Sequence, residues 1–143
     1  MTPFSKGKQI LTYIEDLADN DPDFELLNSR YVTLSEPVVD CERLIIALTS
    51  IVPMEEIDPH CGPIQIGTFI IVIARECANV SDQHGETVPG EAERVGEVQS
   101  TDGEFLWNFA SSYPGFAQKE WDLGFAITGG LSITSLTLMT GID

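Results

Sequence analysis

The sequence predicts an α+β domain: one mostly antiparallel sheet with helices packed on at least one face. Three observations carry that expectation. Two long runs, 41–52 (CERLIIALTSIV) and 64–77 (IQIGTFIIVIAREC), are apolar on both alternating faces at their centres, so each needs cover on two sides. The N-terminal segment repeats apolar residues at helical spacing. Near the C-terminus, Gly129-Gly130 divides two alternating segments and supplies the positive φ angles of a tight two-residue turn. The 143 residues have the size of a single domain spanning 1–143, large enough to build a core without disulfide staples.

Taken in order, residues 4–18 form the first helix. Ile10, Leu11, Ile14 and Leu17 share one side, Lys8, Glu15 and Asp16 the other, and Ser5 is the candidate N-cap. Asp19, Asp21, Asp23 and Glu25 then crowd around Pro22 in a solvated turn. The alternating oxygens of DNDPD also fit a calcium loop, although the central glycine and the closing glutamate of such a loop are missing. Residues 30–34 (RYVTL) make a short edge strand. The strands 41–52 and 64–77 follow, joined by the proline-rich PMEEIDPHCGP; antiparallel pairing around it brings Cys41 near Cys77 and leaves Cys61 at the far end.

Residues 78–87 form a loop. Residues 88–99 suit a helix with Thr87 as its cap, Pro89 in its first turn, and Ala92, Val95 and Val98 on one face. Thr101-Asp102-Gly103-Glu104 fits a capping box opening another helix, 102–112, with Phe105, Leu106, Phe109 and Ala110 toward the core. Tyr113-Pro114-Gly115 ends it. The closing hairpin, 120–139, pairs Thr128 with Leu131 and so sets Trp121 opposite Leu138, Leu123 opposite Leu136 and Phe125 opposite Thr134 on a core-like face. Its reverse face carries Asp122, Gly124, Ala126, Ser135 and Thr137, which can stay wet or take a neighbouring surface closely. The alternative is one long strand kinked at the glycines.

Charge narrows the functional classes. Lys+Arg is 7 against 23 Asp+Glu, a formal charge of −16. So few bases argue against a nucleic-acid groove or an anionic membrane surface. A hydrophobic content of 43% and a mean hydropathy of +0.05 argue against wholesale disorder. No run approaches the roughly 18 apolar residues of a membrane helix. The N-terminus lacks the apolar core and cleavage site of a signal peptide, so a cytosolic setting is expected.

Chemical signatures are sparse. Cys41, Cys61 and Cys77 are odd in number and irregularly spaced, which fits small buried hydrophobes better than a disulfide framework. A metal held with His60 and His84 is the alternative, but no CxxC or HxxxH occurs. As nucleophile–base pairs, Cys61–His60 are sequence neighbours and Cys77–His84 lack a motif; GxSxG, the P-loop and GxGxxG are missing. Glu55, Glu56 and Asp58 are the densest carboxylates, yet they share one acidic loop, where a general acid and base need dissimilar surroundings. The expectation is a protein that is not an enzyme, with no catalytic residue, no metal and no cofactor. Trp107, Tyr113, Phe116 and Trp121 cluster at the helix end and the start of the hairpin. They serve either as core or as interface anchors, with Trp107, Phe116 and Trp121 the candidate oligomer interface.

Four stretches carry a family resemblance across most of the chain: YVTLSEPVVDCERLIIAL, HCGPIQIGTFIIVIAREC, VGEVQSTDGEFLWNFA and ITGGLSITSLTLMTGID. The first has a proline–aspartate–cysteine approach to a long strand, and the second a strand introduced by cysteine and ending in arginine and cysteine. The third is a helix with an acidic break and a leucine–tryptophan pair, and the fourth a glycine-led final strand. In this order they resemble the tail-terminator (tail-completion) proteins of long-tailed bacteriophages, particularly those of actinobacteriophages. Helix 88–99 is shorter and more glycine-broken than the family pattern, and the aspartates of 19–23 have no counterpart in it.

The resemblance implies a virion structural protein, localised to the tail and neck and assembled in the host cytoplasm. It would form a homo-hexameric ring at the head-proximal end of the tail tube, end tube polymerisation and join the tail to the head connector. The implied partners are further copies of itself, the tail tube protein and the connector or stopper proteins. DNA passes through without specific binding, and no membrane is involved. Six copies of −16 give the ring about −96, and a carboxylate-lined conduit repels phosphate. Glu55, Glu56 and Asp58, with the acids of 82–104, are the candidates for such a lumen or for a docking loop. Plain solubility is the other use for the charge. Rival readings are a head–tail adaptor or stopper ring of the same neck, a monomeric acidic protein that mimics DNA, and a small hydrolase or metal enzyme.

Overall fold

The computed structural model describes residues 2–54, 63–76 and 90–142. Helix α1 (Pro3–Asp19) is capped by Thr2, whose Oγ1 accepts a hydrogen bond from the Ser5 backbone N–H at 3.1 Å. The cap is therefore Thr2 rather than Ser5. Pro3 in the first turn explains the shift, because a residue without an N–H loses nothing there. Ile10, Ile14 and Ala18 are buried, and Leu11 and Leu17 pack half-buried beside them.

The strands are β1 (Arg30–Thr33), β2 (Arg43–Met54), β3 (Ile64–Glu76), β4 (Lys119–Thr128) and β5 (Leu131–Ile142). They form one sheet in the order β1-β2-β3-β5-β4, and with the two helices among the described residues the domain is α+β. β1 lies parallel to β2, and every other pairing is antiparallel. β2 starts at Arg43 instead of residue 41, because the chain bends over 40–42; there the Arg43 guanidinium meets the Asp40 carboxylate at 3.5 Å and donates to Cys41 Sγ. The β2–β3 ladder runs from Arg43↔Ala74 to Leu48↔Phe69 and resumes at Ser50↔Thr68, leaving Thr49 as a bulge. Gly129 and Gly130, at φ +56° and +75°, turn the chain between β4 and β5 in the expected register, with Thr128 against Leu131 and Trp121 against Leu138.

The two helices expected over 88–99 and 102–112 are one, α2 (Glu91–Ser112), with Gly90 at the N-cap in the left-handed region. Thr101 does not cap anything. Its hydroxyl donates to the Glu97 carbonyl one turn back, at 3.1 Å, and the helix runs on. Asp102 and Gly103 lie on the buried side of that continuous helix. A glycine inside a helix costs about 1 kcal/mol, which burial of Val95, Phe105, Leu106 and Phe109 outweighs. Residues 77–89, including the expected cap Thr87 and the loop 78–87, fall outside the described residues.

Both helices contribute to the same core. It joins Ile10 and Ile14 of α1 and Phe105, Leu106 and Phe109 of α2 to Leu44, Ile46, Leu48, Phe69, Ile71, Ile73, Leu136 and Leu138 of the sheet. On the other sheet face, Ile45, Ala47 and Val72 form a smaller cluster with Tyr31, Val39, Ile70 and Ile133 against it. α1 packs over β1 and β2, with Gly7 fitting against Val32, where a Cβ would come within 2.5 Å of a valine methyl. α2 packs over β5 and reaches β4 only in part. Among the described residues no helix is long and apolar enough to cross a membrane.

Candidate assembly surface

The aromatic cluster read from the sequence separates in space. Tyr113 belongs to the core, edge-on to Tyr13 with ring centroids 5.4 Å apart and beneath the Lys6 ammonium. Phe116 lies elsewhere. Its backbone N–H bonds to Thr140 Oγ1, its carbonyl accepts from Gly141 N, and its ring fills the space that a side chain at 141 would take. By strand alternation that space is on the sheet face away from the helices. Trp107 and Trp121 do meet, edge to face, with centroids 4.5 Å apart.

The Trp107–Trp121 pair heads a strip along the outer strand. Odd-numbered residues of β4 point to the helix side, and α2 shelters them unevenly. Trp121 and Leu123 pack half-buried against the core, while Phe125 and Ile127 remain 55% and 42% exposed, and Trp107 on α2 is 55% exposed. Phe125 thus keeps its expected register opposite Thr134 but not the expected burial. The sheet extends one strand farther than the helix reaches. At the contact, the Phe125 ring lies against Gly103, where a Cβ would come within 2.9 Å of it, and Gln99 Nε2 donates to the Ala126 carbonyl at 3.0 Å. On the reverse face of the same strand, Glu120 and Asp122 stand beside their partners Met139 and Thr137 around a hollow of about 250 Å³.

A second apolar region sits at the opposite end of the sheet. β1 pairs with Leu44–Ala47, so among the described residues the outer edge of β2 from Leu48 onward has no strand beside it. A hollow of about 280 Å³ opens there, lined by Pro3, Leu34, Leu48, Thr49, Ser50 and Ile51. Phe4 on α1 and Val52 and Met54 on β2 are also exposed, and the Lys8 ammonium lies 5.1 Å from the centre of the Phe4 ring.

A buried ion pair sets the position of α2. Arg75 Nε donates to both carboxylate oxygens of Asp102, at 3.0 and 2.9 Å, and Nη2 donates to the Glu25 carbonyl at 2.6 Å. The guanidinium also lies 5.3 Å from the Phe24 ring centre, and Phe24 stacks on Phe105 at 3.7 Å. One arginine therefore ties β3, α2 and the segment after α1 together. Burial pushes the Asp102 carboxyl above its ordinary range, and Arg75 opposes that rise without cancelling it. The sequence shows Arg75 and Asp102 only as a strand-end arginine and a residue of a supposed capping box. No local pattern links them.

The remaining candidates divide by position. Glu55, Glu56 and Asp58 lie outside the described residues, as do Cys61, Cys77, His60 and His84. The acidic turn after α1 is closed by its own hydrogen bond, Asp23 N–H to Asp21 Oδ1 at 3.0 Å. It borders a hollow of about 340 Å³ shared with Thr101, Glu104 and Phe105. Among the described residues no three carboxylate, thiol or imidazole side chains converge as a metal would require. No protein-family model and no curated protein matches the chain.

Proposed function

We propose that this chain is an assembly protein, a ring subunit of a virion neck that ends a phage tail tube and joins it to the head connector. The observation that supports this is the placement of its exposed apolar groups. In a chain of −16, most of the exposed large hydrophobic side chains among the described residues surface in two regions toward opposite ends of one sheet, and the hollow in the second is not enclosed as a pocket for a small substrate would be. A ring of identical subunits uses two different surfaces on each copy. The acidic exterior suits a conduit that must let DNA pass, since Glu93, Glu97 and Glu104 are exposed along α2 and Asp19, Asp23 and Glu25 in the turn after α1. An adaptor or stopper ring of the same neck uses the same features.

Sedimentation of the purified protein over a wide concentration range, with negative-stain imaging, tests the proposal. The expected result is a closed ring with a central hole, alone or seated on the ends of tail tubes. A strict monomer that binds a basic DNA-binding protein stoichiometrically would replace it with the DNA-mimic reading.

A further inference from the structure

We infer that the first part of α2, residues 91–100, is a strap that lifts off the β4–β5 hairpin as one unit while residues 102–112 stay in place. The inference concerns a single copy of the chain and does not depend on the assembly reading. Three observations lead to it.

Attachment comes first. α2 is one helix with two unequal parts. Asp102, Gly103, Phe105, Leu106, Phe109 and Ala110 are buried in the second, whereas Val95 is the one buried residue of 91–101. Val95 belongs to neither of the two apolar clusters of the sheet. A segment with few buried apolar groups opens at a lower free energy than the core. The helix start adds little, since Gly90 offers no side-chain cap and open space surrounds a Cβ built at Gly96.

A fixed end comes second. Arg75 holds Asp102 by both carboxylate oxygens, and Gly103 lies against the Phe125 ring. Just before this anchor, the Thr101 hydroxyl bonds back to the Glu97 carbonyl, a pattern that weakens a helix locally. What lies beneath comes third. Ser132 pairs with Arg75 and Ile127, and Thr134 with Ile73 and Phe125, so both hydroxyls are on the helix side of the sheet. Both residues are 0% exposed, and neither hydroxyl has a hydrogen-bond partner. Four helical residues rise about 6 Å, close to two residues of strand. With Gly103 at the Phe125–Thr134 rung, Gln99 stands near the Ile127–Ser132 rung, where its Nε2 reaches the Ala126 carbonyl. The strap therefore closes over Ser132, and the fixed part of α2 over Thr134. A buried hydroxyl without a partner regains its hydrogen bonds from water when its cover lifts. Ser132 thus favours the open form, and a released segment this short does not stay helical alone.

Hydrogen exchange of the full chain, read residue by residue by NMR, tests the inference. The amides of 95–100 should share one opening rate, about a hundredfold or more faster than those of 105–110. Ser132→Ala should slow exchange at 95–100 about tenfold. Thr134→Val removes a hydroxyl that stays covered, so it should leave those amides unchanged while slowing the slowest core amides. Gln99→Ala, which cuts the tie to β4, should speed 95–100 about fivefold. Circular dichroism checks that each variant is folded.

Equal protection of 95–100 and 105–110 would make α2 a single unit and overturn the inference. So would rates that fall step by step from 95 to 100, which describe an end that frays. If Ser132→Ala leaves 95–100 unchanged, the strap does not cover that hydroxyl and the inference is wrong. If Thr134→Val slows 95–100 as much as Ser132→Ala does, the opening runs past Asp102 and the fixed end is lost.

Discussion

β3 and β4 carry similar chemistry and end in opposite places. Both are long antiparallel strands rich in apolar and aromatic residues, IQIGTFIIVIARE and KEWDLGFAIT. β3 lies between two neighbours and keeps Phe69, Ile71, Ile73 and Ala74 at 0% exposure. β4 lies at the sheet edge under the margin of α2, and most of its residues remain exposed. On the face toward the helices the two read alike, Phe69, Ile71 and Ile73 in one and Trp121, Leu123 and Phe125 in the other, so the residues of that face do not separate them. The neighbours in the sheet and the reach of the overlying helix do, and those are tertiary facts. An apolar strand in a middle position builds the core, and one at an edge offers a surface.

The sharpest way to break this comparison is to place the same charge in each strand. Ile71→Asp buries a carboxylate without a partner in the centre of the main core. Its cost, several kcal/mol for the ion plus the lost side chain, exceeds what a marginally stable domain tolerates, so soluble folded protein should disappear. Phe125→Asp adds the same group to a half-exposed position and should cost about 1 kcal/mol. It should leave a folded chain that no longer associates. Expression yield and circular dichroism check the first, and sedimentation the second. A folded Ile71→Asp would overturn the central place of β3; an unfolded Phe125→Asp would move β4 into the core.

The next effect in size concerns the link between the two regions. Arg75, on β3, holds Asp102 of α2, and α2 shelters the inner part of β4. Arg75→Ala leaves Asp102, only 1% exposed, without its counter-charge and should cost about 3–5 kcal/mol in urea unfolding. The double variant Arg75→Met/Asp102→Leu removes both charges and should recover most of that loss. A single and a double variant of equal stability would show that the lost interactions with Glu25 and Phe24, rather than the ion pair, anchor the helix.

The same contrast explains what was legible in the sequence. The β2–β3 and β4–β5 registers were, because a doubly apolar run around a loop and a Gly-Gly turn admit few alternatives. The unity of α2 was not. A threonine that caps the next helix and one that bonds back to position i−4 present the same residues, and only tertiary packing decides between them. The Trp107–Trp121 pair was legible as a cluster, since both residues sit near the turn between α2 and β4. That Tyr113 is core and Phe116 covers Gly141 depends on where α2 stops and how the chain re-enters the sheet, which no periodicity encodes. The hollow at Pro3, Leu34 and Ile51 joins three elements far apart in the chain and left no local signal.

A smaller, pH-dependent effect sharpens the role of the ion pair. The Asp102 carboxyl is held above its ordinary value in the folded chain, mainly by burial. The native state therefore holds that proton more tightly than the unfolded state does. Its stabilising share is fully present below the unfolded value of about 3.9 and is lost as pH rises through the folded value. Acidifying from neutral should raise stability across that interval, by at most about 1.4 kcal/mol per pH unit from this group. Relief of the −16 self-repulsion acts in the same direction. Asp102→Asn isolates the first effect, because it removes one titrating group and leaves the general charge almost intact. Parallel melting curves against pH for the two proteins would show that Asp102 does not contribute.

The smallest effects come from two glycines of α2, and they test where helix and edge strand touch. Gly96 has open space where a Cβ would stand, so Gly96→Ala should add the plain helix-propensity gain of about 1 kcal/mol. Gly103 has the Phe125 ring there, at 2.9 Å. Gly103→Ala gains the same propensity but must push that ring aside, which a half-exposed side chain can do at modest cost. The net change in stability should therefore be smaller than for Gly96→Ala while keeping its sign. The displaced ring belongs to the strip, so Gly103→Ala should also weaken association, and Gly96→Ala should not. Equal melting shifts and equal association in the two variants would mean that Phe125 does not rest on α2, and that the strip is not held in place by the helix that flanks it.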